Sequence, residues 1–123
     1  MIQKLDPQEF ETLVDLIFLR GGWQRAGVLG KSIPDVDLIV EQPATGETAW
    51  IQVKSQATQT VLDDYLARFQ ADGSCDRFFF ACHSPKGTLT LPDETHLHLW
   101  TGEPLARAAV SAGLFDWLIE RSA

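Results

Sequence analysis

The chain has 123 residues, 45% of them hydrophobic, and its 17 acidic against 10 basic residues leave a formal net charge of −7. That length buries one sizeable core but not two, and repeats, low-complexity tracts and interdomain linkers are absent, so the expectation is a single domain over residues 1–123. The acidity counts against nucleic acid as a partner, because affinity for phosphate comes mainly from Lys and Arg, yet a local basic patch can coexist with an acidic body.

In chain order, Asp6-Pro7 followed by QEFETLVDLIFLR reads as an N-capped helix with proline in its first turn. Phe10, Leu13, Val14, Ile17 and Phe18 recur at helical spacing on its core face, and Gly21-Gly22 stops it. A weakly signalled strand follows around Trp23 to Val28, with Arg20, Arg25 and Lys31 forming a basic cluster around it. VDLIV and WIQVK, separated by the turn Pro43-Ala44-Thr45-Gly46-Glu47, read as a hairpin. Thr58 to Ala71 reads as a second helix with Val61, Leu62, Tyr65, Leu66 and Phe69 inward, and ADGSCD as a loop. RFFFAC reads as a buried strand, TLTL as a short strand, and HLHLW as another. The last helix is expected from Pro104 to about Arg121. The order of helix, three strands, helix, strands, helix predicts an α/β fold with a central mixed sheet flanked by helices.

Other features limit the function classes. No apolar run approaches a membrane span, and the N-terminal MIQKLDPQEFE is acidic rather than signal-like, so a cytoplasmic protein without a membrane partner is expected. Cys75 and Cys82 form no CxxC pair and read as reduced and structural. His96 and His98 would share a strand face, its wet side, and with His83 show no four-ligand zinc spacing. Trp100 and Trp117 read as core or interface anchors.

The hairpin is where the chemistry concentrates. Alternation puts Asp35, Asp37 and Ile39 on one face of the first strand and Gln52 and Lys54 on one face of the second. Two carboxylates, a carboxamide and an ammonium gathered at one sheet edge are costly to bury without purpose. An oxygen-rich set of this kind suits Mg²⁺ or Mn²⁺. The first helix adds Glu9, Glu11 and Asp15, of which Glu11, beside the core residue Phe10, lies at the margin facing the strands. Lys54 would then stand near a metal-bound water, and metal-assisted phosphodiester hydrolysis needs these parts together. A cross-strand Asp37–Lys54 ion pair on a solvated face is the plainer alternative.

Phe10-Glu11, Gly21-Gly22-Trp23, Pro34-Asp35-Val36-Asp37-Leu38-Ile39 and Ile51-Gln52-Val53-Lys54, in this order, resemble the PD-(D/E)XK nuclease superfamily. The nearest resemblance is to its Mrr-like restriction endonuclease branch, in which Gln often replaces the acid before Lys; HLHLWTGEPLA resembles that branch's late strand and following helix. The resemblance implies a restriction-endonuclease-like α-β-β-β-α-β core and a metal-dependent DNA endonuclease of restriction or defence type. It assigns Mg²⁺ or Mn²⁺ to Asp37, Gln52 and the Val53 carbonyl, with Glu11 assisting and Lys54 at the attacking water. Asp35 is the alternative acid, since archaeal Holliday-junction resolvases use such a PD aspartate; Asp37 is preferred because it begins the apolar run LIV. Residues 84–95, SPKGTLTLPDET, leave little room for the helix that the family usually carries between its fourth and fifth strands. At this length no separate DNA-reading domain is expected, so sequence preference would come from a partner protein, a fused context or a homodimer. The rivals are a junction or structure-specific resolvase and a non-catalytic partner or regulatory module with the same fold.

Overall fold

A computed structural model describes residues 5–26, 38–114 and 117. Helix α1 spans Pro7–Arg20. Its start is a reciprocal capping box: the Asp6 carboxylate accepts the Glu9 N–H at 2.7 Å and the Glu9 carboxylate accepts the Asp6 N–H at 3.1 Å. Strand β1 is short, Gln24–Arg25, and antiparallel to β2, Leu38–Glu41. Val36 and Asp37 of the expected strand, like Val28 before it, lie outside the described residues. β2 turns into β3, Thr48–Ala57, through a tight loop in which Gly46 takes φ 78, a left-handed conformation that favours glycine. Helix α2, Gln59–Asp72, follows from its cap Thr58 and returns the chain to β4, Arg77–Pro85, parallel to β3. β5, Leu97–Trp100, is parallel to β4, and α3 spans Gly102–Ser111.

The five strands lie in the order β1-β2-β3-β4-β5, an antiparallel hairpin edge joined to a parallel β3–β4–β5 half. The core of this one sheet is split into two apolar layers, one on each face, where a single core was expected. α1 and α3 cover one face, where Phe10, Leu13, Val14 and Phe18 meet Ile51, Phe79, Ala81, Leu105 and Ala109. α2 covers the other, where Leu62, Tyr65 and Phe69 meet Trp50, Phe78, Phe80 and Cys82. Trp100 and Trp117 pack against the first core. Cys75 and Cys82 are free; burial pushes both thiols up, which keeps them protonated and leaves Cys82 a packing residue.

Three expectations are corrected. TLTL is not a strand: Gln59 accepts the Thr90 N–H at 2.8 Å and donates to the Thr90 carbonyl at 2.9 Å, so a side-chain amide occupies the groups a ladder would use. The β4–β5 crossover therefore runs without helix or strand, with Leu89 buried in the α2-side core. α3 ends at Ser111 rather than near Arg121, capped by Ala112 and turned by Gly113 at φ 77; Leu118 and Ile119 lie outside the described residues. His96 and His98 do not share a wet face: His96 precedes β5 and sits by Phe69 of α2, while the half-buried His98 stacks on Phe79 at 4.3 Å on the α1 side.

Candidate active site

Register decides which side chains meet. β3 and β4 pair Gln52 with Phe80 and Lys54 with Cys82, so Gln52 and Lys54 share the α2-covered face, while Ile51 and Val53 point to α1. On the hairpin side Leu38 pairs with Ile51 and Ile39 with Trp50, which puts Ile39 on the Gln52–Lys54 face. Asp35 and Asp37 themselves lie outside the described residues.

Gln52 is 1% exposed, the one buried polar residue among the described core positions. Lys54, two residues on, is half-buried, and its Nζ lies 5.0 Å from the centroid of the Tyr65 ring. Beside it opens a shallow recess of about 310 Å³ lined by Pro7, Phe10, Glu11, Val53, Lys54 and Ser55. The recess exists because the capping box and Phe10 seat the first turn of α1 directly over the second half of β3.

The three α1 acids named from the sequence separate cleanly. Glu9 is spent on the capping box, and Asp15 pairs with Arg25 at 3.1 Å. Glu11, exposed on the flank of the helix, borders the recess with Val53 and Lys54. Glu11, Val53 and Lys54 line one recess at the sheet's end, although Lys54 leaves β3 on the α2 face and Val53 on the α1 face; Gln52 shares the face of Lys54 without lining the recess. The Glu11 carboxylate at the recess is a hard oxygen that fits Mg²⁺ or Mn²⁺ rather than a thiophilic metal, while the Gln52 carboxamide is buried outside it. Among the described residues no three His, Cys, Asp or Glu side chains gather as a metal cluster.

His83 supports this corner from β4. Its Nε2 donates to the Leu5 carbonyl at 2.6 Å, so in the neutral ring Nδ1 is left to accept from the Ser84 hydroxyl at 2.7 Å. Its ring meets Phe10 edge-on at 5.2 Å. Sequence reading had His83 only as a stray histidine and Tyr65 only as core. The spacing of Tyr65 and Arg68, three apart on the helix that follows the strand carrying Lys54, is the signal available for the second.

A five-stranded mixed sheet flanked by three helices, with a carboxylate and a lysine bordering one recess at its edge, defines a restriction-endonuclease-like α/β fold. The chain belongs to the restriction endonuclease family whose model, Mrr_cat, matches residues 2–80, from α1 into β4. Neither the curated proteins nor the solved structures compared with it gave a match.

Proposed function

We propose that the chain is a metal-dependent DNA endonuclease of restriction or defence type. One observation supports this reading above the others: in a member of this family, Glu11, Val53 and Lys54 border a single recess open to solvent. Asp37, Gln52, the Val53 carbonyl and Glu11 are the groups proposed to hold Mg²⁺ or Mn²⁺, with Asp35 the alternative acid. When bound, the ion would supply Lewis-acid polarisation of a phosphoryl oxygen and lower the pKa of a coordinated water.

The chain's own part is positional and electrostatic. Lys54, which borders the recess, would neutralise charge developing on the phosphate and orient the attacking water. Water oxygen bonds to phosphorus, the bond to the leaving sugar oxygen breaks, one water proton passes to solvent and the leaving oxygen takes up another. Glu11, at the rim of the recess, accepts a hydrogen bond from that water.

The net charge of −7 favours a second reading, a non-catalytic partner module on the same fold. Incubation with plasmid, linear, single-stranded and branched DNA in Mg²⁺, Mn²⁺ or EDTA separates the readings. Metal-dependent cleavage of plasmid or linear duplex is expected; cleavage confined to branched DNA would make it a resolvase, and none with either metal would leave the partner module.

A further inference from the structure

Lys54 does not reach the recess as a free tether. Tyr65, at position seven of α2 and only 8% exposed, lies wedged under it, its ring tilted against Phe80 at 6.2 Å. Two cations share that ring: the Lys54 ammonium 5.0 Å from its centroid and the Arg68 guanidinium 5.2 Å from it. Both fall inside the range in which the ring quadrupole attracts a cation. Arg68 is further held by Asp64 at 3.0 Å, an exposed pair one helical turn apart. Among the described residues no acid forms an ion pair with Lys54.

Two cations drawn to one ring offer paired positive charge to an anion. Asp64 supplies one on the Arg68 side. We propose that Lys54, Tyr65 and Arg68 form a seat for a backbone phosphate of DNA, in which Tyr65 is a positioning residue that fixes the Lys54 ammonium beside the recess. The proposal rests on the nuclease reading above and adds to it residues of α2. The physical logic is preorganisation: a lysine on a flexible four-carbon stem acts best when something rigid holds it, and an aromatic ring with two side-chain torsions is rigid.

The test uses the full chain with Tyr65→Phe, Tyr65→Leu and Arg68→Gln. Nuclear magnetic resonance of the Lys54 ε-methylene, without DNA or metal, reads the ring directly: an upfield ring-current displacement is expected in the wild type and in Tyr65→Phe, and its loss in Tyr65→Leu. In Mg²⁺-dependent cleavage, Tyr65→Leu should lose about tenfold in kcat with little change in KM, and Tyr65→Phe should restore it, which loss of packing alone would not produce. For a short DNA duplex bound without divalent metal, Arg68→Gln should lower the slope of log affinity against log salt by about 1. A wild-type Lys54 methylene without the displacement overturns the proposal, as does an unchanged salt slope in Arg68→Gln. Should Tyr65→Leu fail to fold, those two measurements still decide. A wild type that shows both the displacement and the salt slope but cuts no DNA overturns the nuclease reading and leaves the seat standing as a binding device.

Discussion

Arg77 donates from Nη1 to Nε2 of His98 at 3.3 Å, while its Nε bonds Glu47 at 3.1 Å. A guanidinium has no acceptor, so His98 Nε2 must offer its lone pair, and the ring is held neutral. Burial first, then the charges of Arg77 and His96, lower the His98 pKa from its ordinary value of 6.5. The folded state therefore binds fewer protons here than the unfolded chain. The contribution of His98 is fully present above about pH 6.5 and is lost as pH falls through the lowered folded-state value. Melting temperature should decline from pH 7 toward pH 5, and His98→Gln should flatten that decline. An identical pH dependence in the variant would remove His98 as its source.

Gln59 clamps the β4–β5 crossover by two bonds to Thr90 and a third, at 2.8 Å, to Asp63. Gln59→Ala leaves the Thr90 groups to water and frees Leu89 from its seat in the core. The expected loss is about 1–2 kcal/mol, from net hydrogen-bond contributions of about 0.5–1.5 kcal/mol each. Denaturant unfolding measures the loss. Limited proteolysis should cut the variant near residues 86–91 under conditions that leave the wild type intact.

Millimolar Mn²⁺ or Mg²⁺ should raise stability by about 1–2 kcal/mol at roughly tenfold the dissociation constant, because an ion bound only by the folded chain adds stability by mass action. Asp37→Ala should abolish that rise and Asp35→Ala should reduce it less. Calorimetry with and without metal checks both, and an equal loss in the two variants would assign the site to the pair rather than to Asp37.

Lys54→Ala should lower cleavage by at least about 10²-fold, a common contribution for a residue of this role. Lys54→Arg should fail as well, since a planar fork cannot occupy the position of a compact ammonium. Folding should change by less than about 1 kcal/mol, the scale of one partly exposed cation–π contact. Plasmid nicking and melting, measured on the same preparations, distinguish this from a merely structural lysine, which would tolerate arginine.

Local pattern in the sequence determined a good deal. α1 could be read to within its capping residue, because Asp6, Pro7 and the apolar spacing all act within one or two turns. The faces of β3 were legible because a one-residue slip would exchange Ile51 and Val53 for Gln52 and Lys54 in the α1 core. The order of Glu11, Asp37, Gln52 and Lys54 was enough to suggest the family that the match over residues 2–80 shows. Tertiary structure decided what depends on distant partners. TLTL has strand-like alternation, but Gln59, thirty-one residues away, takes its backbone bonds. His96 and His98 have the spacing of one face, but β5 begins only between them. Glu11 could be picked from its place beside Phe10, but that Glu9 caps the helix and Asp15 meets Arg25 is visible only in the structure. Lys54 could be named from its strand alone. That it rests on Tyr65 follows only from α2 folding back across β3, a contact between residues that no periodicity relates.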